Sequence, residues 1–459
     1  MNEAASSASI TPGVTAETGS SRRHPKGLYC LAVTEAWERF SFYGMVALLS
    51  LYMVDRLLLP GHAEHVAGLA RLRTALEAFA GPLSSQAFAS QIFGLYSAFV
   101  YFTPVLGGVI ADRWLGQRNA VVTGALAMAA GYVAVSFDGA FLLALLLLIV
   151  GSGLLKGNIA AQVGGLYPPA DEARRARGYV IFSTGVNVGA IAGPLACGWL
   201  AQAYGWHYGF GSAAVCMLLG LATYLFGYRY LPSRTQRNHG AEAVRRMGAE
   251  WRVIAALITV MLITIFQSVA YLQVFNVAPV WIERHVQPDI AGFRVPVPWY
   301  TAVNSLLSVL CVPLLFWIWR RQAARGREPD DLAKIGVGAW LTAASNLILV
   351  VAILGSGTAR VSPLWPFLSS AGLGIAFMYY WPTLLALISQ AAPARVSATL
   401  VSGAYLTLFV SNLLIGWIGG LYERMTSVAF WALHAAIAAA GGLIVLLFGG
   451  RLRRALRLA

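Results

Sequence analysis

The sequence predicts an all-α membrane protein of twelve transmembrane helices in two six-helix halves, and three observations carry the prediction. Charge is scarce: Asp, Glu, Lys and Arg make up 11% of the 459 residues, against 58% hydrophobic, whereas a soluble domain uses about 25% charged residues to cover its surface. Mean hydropathy is +0.66. Apolar runs long enough to span a bilayer recur along the chain, and the positive charges fall between them on alternating sides.

The apolar segments lie near 27–53, 89–111, 119–136, 140–165, 177–201 and 207–229, then near 252–282, 299–319, 333–354, 362–390, 396–420 and 428–449. Each approaches the roughly 20 residues that a helix needs to cross the hydrocarbon core. The organisation expected is therefore a cytoplasmic tail over 1–26, one half over 27–229, a linker over 230–251, a second half over 252–450 and a basic tail over 451–459. Gly185, Gly189 and Pro194 stand inside the fifth span; membrane helices tolerate such residues where neighbours approach closely or re-satisfy the backbone.

Of the 33 Lys and Arg, 24 fall on the side of the two termini and the linker and seven on the opposite side, while Arg39 and Lys156 lie within spans. Loops rich in positive charge stay cytoplasmic, so both termini are expected there, in an inner membrane. Residues 1–26 contain no apolar run and read as a disordered tail, not a cleaved signal. The net charge of +14 is spread over interspan loops, which argues against a nucleic-acid partner. Cys30, Cys197, Cys216 and Cys311 sit in apolar runs without metal-like spacing and read as small core residues. The segment 54–88, with His62, His65, Arg71, Arg73 and Glu77, is placed outside as a short helix or a partner surface.

After the second span the chain reads Gly107-Gly108-Val109-Ile110-Ala111-Asp112-Arg113-Trp114-Leu115-Gly116. The glycines suit close helix approach, and Asp112 suits an arginine or a helix N-terminus. This resembles the G-x-x-x-D-R-x-x-G signature of the major facilitator superfamily, which assigns Gly108, Asp112, Arg113 and Gly116 to a gating motif and implies a central cavity between the halves. Arg320 to Gly326 is a weaker echo in the second half.

Ionisable residues inside spans are costly and invite a functional reading. Glu35, Glu38 and Arg39 share the first span at spacings of three and four, so they lie on one helix face. Lys156 lies deep in the fourth. The set reads either as a proton-cycling site or as a salt-bridge network tying the first and fourth spans together.

Glu35-Ala36-Trp37-Glu38-Arg39-Phe40-Ser41-Phe42-Tyr43-Gly44 resembles the E-x-x-E-R-F-x-Y-Y-G motif of the proton-dependent oligopeptide transporter (POT or PTR) family, and Gly153 to Asn158, Phe182 to Gly189, Trp206 to Phe210, Trp299 to Asn304, Ser362 to Trp365 and Ala392 to Arg395 continue the match. The resemblance implies that Glu35 and Glu38 couple to protons and that Arg39 and Lys156 receive the substrate carboxylate. It also implies that Tyr43, Tyr101, Asn187 and Asn304 line the pocket. Asparagine and tyrosine at these places equally serve helix packing.

The sequence departs from the family where the tenth helix usually offers a glutamate; aligned through Pro382, that position is Phe377. The acid of the seventh helix and its arginine partner on the first align with Phe266, before Gln267, and with Val46. The Tyr-Tyr pair begins with Phe42, and Lys156 precedes Gly157 in place of the usual proline. His434 reads as a packing residue; Phe377, Tyr379, Tyr380, Trp381 and Tyr405 form an aromatic group that is either core, lipid-facing or a cation–π surface.

The expectation is a proton-coupled symporter that imports di- or tripeptides or peptide-like anions by alternating access, without a metal or cofactor, acting as a monomer on a small-molecule substrate in the bilayer. An exporter or facilitator of a hydrophobic metabolite is the alternative. An enzyme would need a nucleophile with its base or clustered metal ligands, and the histidines at 24, 62, 65, 207, 239, 285 and 434 are scattered.

Overall fold

The computed structural model describes residues 23–168, 171–232, 247–393 and 396–456. Among them, twelve helical spans are long and apolar enough to cross a membrane, from Lys26–Leu57 to Ser427–Leu456. The first half contains α1 (Lys26–Tyr52), α2 (Leu69–Ala80), α3 (Ser85–Ile110), α4 (Gln117–Val135), α5 (Phe141–Gly165), α6 (Glu172–Tyr204) and α7 (Trp206–Gly227). The second contains α8 (Met247–Leu272), α9 (Val277–His285), α10 (Pro298–Ala323), α11 (Asp331–Ser356), α12 (Leu364–Ala391), α13 (Ser397–Gly419) and α14 (Ser427–Leu456). A two-stranded ribbon, β1 (Asp289–Ile290) with β2 (Phe293–Arg294), follows α9. The tail over 1–22 and the linker over 233–246 lie outside the described residues.

Within the first half α1 packs on α6 and α7, α3 on α5 and α4 on α5. The α1–α6 seam shows why the sequence spaces its glycines by four. Gly185, Gly189 and Gly193 lie against the carbonyl oxygens of Ala32, Ala36 and Phe40, and Gly44 against Cys197. A methyl group at any of these glycines would collide with its neighbour, so the small residues set the distance between the helices.

The external segment forms a turn at Ala63–His65 and the short helix α2, one of the two forms expected of it. Two features differ from the sequence reading. The seventh span breaks at 273–276, where Gln273 donates to Ile415 O at 3.3 Å and Asn276 donates to Ser90 Oγ at 2.7 Å and Ile415 O at 3.1 Å. A broken helix within protein is tolerated because its freed polar groups find partners there. The twelfth span runs on to Leu456 because Leu452 and Leu456 remain buried against Leu332 and Val445. Arg453, expected in a basic tail, is therefore helical and pairs with Asp330, the residue that caps α11 through Ala333 N.

The halves meet at the end opposite the termini. Ser90 Oγ donates to Gly416 O at 3.1 Å, Gln86 to Gly419 O at 3.3 Å, Trp299 Nε1 to Leu195 O at 3.0 Å and Gln202 to Arg294 O at 2.9 Å. At this seam α3 and α13 touch through glycine, with Gly94 against the backbone of Gly416.

Candidate functional site

The site begins with one face of α1. Glu35, Glu38 and Arg39 project together because three and four residues each bring a helix nearly once around. Arg39 Nε lies 2.8 Å from Glu35 Oε1 and 2.8 Å from Glu38 Oε2, so one guanidinium is shared between two carboxylates. Glu35 is 4% exposed and Glu38 fully buried, and Glu38 Oε1 has no hydrogen-bond partner. A buried carboxyl oxygen without a donor carries a large desolvation cost while ionised.

Lys156, on α5, holds its ammonium 3.9 Å from the centre of the Phe42 ring and 5.9 Å from that of Tyr101. Among the described residues it makes no ion pair within 4.0 Å. Asn158, two residues on, donates to Leu154 O and, at 3.5 Å, to Gly107 O, which locks α5 against α3 and orients this turn.

A cavity of about 560 Å³ between the halves is lined by Arg39, Tyr43, Tyr101, Lys156, Asn187 and Asn304, the six residues that the sequence singled out for substrate. Its size falls within the range of small-molecule sites. Glu35 and Glu38 stand outside the lining, behind Arg39. Asn304 is nearly buried, accepting from Tyr271 Oη at 2.9 Å and donating to Ser370 O at 3.4 Å, so it shapes the wall and positions Tyr271.

The opposite wall is aromatic. Phe377, Tyr380, Trp381 and Tyr405 line the cavity together with Tyr271, which the sequence reading missed. The rings touch in series: Tyr271 stacks on Phe377 at 5.4 Å, Phe377 meets Tyr380 at 5.7 Å, Tyr380 meets Trp381 at 6.3 Å and Trp381 meets Tyr405 at 5.4 Å. Tyr379 turns away to pack on Trp319 at 5.7 Å. The signal for Tyr271 was a polar aromatic inside the seventh span, which gains meaning only once the helix is oriented.

The alignment of Phe266 opposite Val46 is corrected. Phe266 is 38% exposed and lies near Gly441 of α14. Leu272 shares a small cavity wall with Val46. Six residues separate the two positions, and six steps of about 100° leave a helical side chain about 120° away from its starting direction. The contact is still apolar on both sides.

The residues expected to form a gating motif differ in their surroundings. Gly107 lies against the backbone of Gly153, so it carries the close approach, whereas nothing stands within 4 Å of a methyl group placed on Gly108. Gly116 takes φ 74°, a conformation that glycine adopts without strain, and turns the chain from the Ala111–Leu115 segment into α4. Asp112 and Arg113 lie on that turn, exposed. His434 is buried, with Nδ1 2.8 Å from Phe430 O, in keeping with a packing role.

The chain matches the family model PTR2, described as the POT family, over residues 118–247 and 232–437. It is 27% identical over 475 residues to the peptide transporter YePEPT of Yersinia enterocolitica, covering 86% of this chain and 88% of that one. It is 28% identical over 491 residues to the di-/tripeptide transporter of Lactococcus lactis subsp. cremoris, covering 92% and 95%. Its fold superposes with TM-score 0.81 on a crystal structure of a mutant of peptide transporter POT in complex with alafosfalin, at 26% identity over 94% of this chain and 96% of that chain. With twelve spanning helices, two halves around a cavity and a family match over most of its length, this multi-pass membrane protein is a transporter of the POT family.

Proposed function

We propose that the protein is a proton-coupled symporter that carries peptides or peptide-like anions into the cell by alternating access. The observation that carries the reading is the sharing of Arg39 between two buried carboxylates at the edge of a cavity that also holds Lys156. Arg39 can satisfy Glu38 or a substrate carboxylate, and a proton on Glu38 releases the guanidinium toward the cavity. Proton and substrate then each favour the binding of the other, which is the linkage that a symporter needs.

In this reading Glu35 and Glu38 are the proton-coupling groups. Arg39 and Lys156 take the substrate carboxylate, while Tyr43, Tyr101, Asn187 and Asn304 shape its path. The curated relatives named as peptide transporters support a peptide substrate. The protein is placed in the inner membrane with both termini cytoplasmic, as the charge of the loops favours; the halves are joined at the other end, so the cavity belongs to an inward-open arrangement. The bilayer is its medium, the proton its coupling ion, and the monomer its working unit.

The test is uptake of a di- and tripeptide mixture by proteoliposomes under an acid-outside gradient. Wild type should accumulate peptide, and Glu38→Gln and Lys156→Ala should not. Uptake that ignores the gradient would remove proton coupling from the account.

A further inference from the structure

We infer that the cavity selects carboxylates whose amino end carries no charge: N-acylated amino acids and short N-acylated peptides, in preference to free peptides. The inference rests on the reading that this cavity is the transport site and names the substrate class that it takes.

Arg39 and Lys156 line the cavity, and among the described residues no carboxylate does. The nearest acids, Glu35 and Glu38, are buried and held by Arg39. A free peptide brings an ammonium as well as a carboxylate. Its carboxylate finds Arg39 and Lys156, but its ammonium, after giving up its water, meets a lining that carries two cations and no carboxylate, since Glu35 and Glu38 lie behind the lining and are committed to Arg39.

The neutral groups of the far wall do not make up the deficit. Asn304 spends its amide on Ser370 O and its carbonyl on Tyr271, and Ser308 donates to Asn304 O at 2.9 Å. Asn187, on α6 of the near wall, is exposed at the cavity; its single side-chain carbonyl cannot serve the three donors of an ammonium. The connected rings of Tyr271, Phe377, Tyr380, Trp381 and Tyr405 offer faces that attract either an ammonium or an apolar group. Opposite two cations, the apolar group is the better occupant. An acyl cap removes the charge, leaves an amide for Asn187 and lays carbon against the rings.

The test uses three probes of one backbone, N-acetyl-Ala-Phe, Ala-Phe and Ala-Phe amide, in proteoliposomes under an acid-outside gradient and, for the purified protein in detergent, as ligands in thermal-shift titrations. N-acetyl-Ala-Phe should half-saturate at a concentration at least about tenfold below that of Ala-Phe, and Ala-Phe amide should neither bind nor move. Ala-Phe equal to or better than its acetylated form would overturn the inference and leave peptide symport standing. N-acetyl-Ala-Phe preferred in binding and counterflow but indifferent to the gradient would support the inference and remove proton coupling. None of the probes bound by folded protein would overturn both. Placing an acid on the ring wall should shift the ratio at least about tenfold toward Ala-Phe: Phe377→Glu does so at a packed position, and Tyr405→Glu at one 40% exposed, where folding is spared. An unchanged ratio in folded Tyr405→Glu overturns the electrostatic explanation.

Discussion

Lys156 rests its ammonium on the face of Phe42, 3.9 Å from the ring centre, across the interface between α5 and α1. A ring, not a carboxylate, holds the cation at the cavity wall. Its charge is therefore directed to whatever anion the cavity admits.

Removing that ring frees the ammonium. A desolvated cation–π contact is worth about 1–2 kcal/mol, so Phe42→Leu should raise the half-saturation concentration for substrate about fivefold to thirtyfold. Phe42→Tyr, which keeps the face, should stay close to wild type. Concentration-dependent uptake in proteoliposomes measures both, and an unchanged Phe42→Leu curve would mean that the ring does not place the lysine.

Arg39 pairs with two buried carboxylates, so its loss strands both. Arg39→Leu should cost about 3–5 kcal/mol, as for other broken buried pairs, and lower the melting temperature in detergent. Glu35→Gln and Glu38→Gln added to Arg39→Leu should recover most of that stability while transport stays absent. A triple variant no more stable than Arg39→Leu would place the loss in packing.

Gly94 and Gly108 predict opposite results. A methyl group on Gly94 would stand 2.6 Å from Gly416 Cα, whereas nothing lies within 4 Å of one on Gly108. Gly94→Val should prop the seam open and slow exchange at least about tenfold, since well-packed contacts accept added bulk only by shifting backbone. Gly108→Ala should leave melting temperature and exchange unchanged. Counterflow and thermal melts of the two variants separate these outcomes.

Asn276 joins the broken seventh span to Ser90 and Ile415. Interhelical hydrogen bonds in membranes are worth about 0.6 kcal/mol on average and up to about 1.7 kcal/mol. Asn276→Ala should therefore shift the population by roughly threefold to twentyfold toward separation of the halves at that end. Spin labels at Leu59 and Ile290, both exposed there, should report a larger long-distance fraction; an unchanged distance distribution would show that the break holds no gate.

The cations and acids of the site were legible because an ion inside an apolar run is conspicuous. Glu35, Glu38, Arg39 and Lys156 stand out in any reading of hydropathy. Gly185 and Gly189 were legible as small residues inside the fifth span, while Gly193 joins their row only once the helix lies against Phe40 O. Gly107 could not be told from Gly108, because adjacent residues on a helix differ only in direction and the neighbour that decides is Gly153, 46 positions on.

By itself the sequence determined that this chain spans a membrane twelve times, in two halves, with charge buried in the first. Apolar length and the cost of ions in lipid act locally and need no partner helix. Only the tertiary structure decided that Tyr271 joins the ring wall while Tyr379 leaves it, that Leu272 and not Phe266 meets Val46, and that the seventh span breaks where Asn276 reaches Ser90. Each of these depends on the rotation of a helix about its axis, and that rotation is set by the shapes and polar partners of the neighbours it packs against.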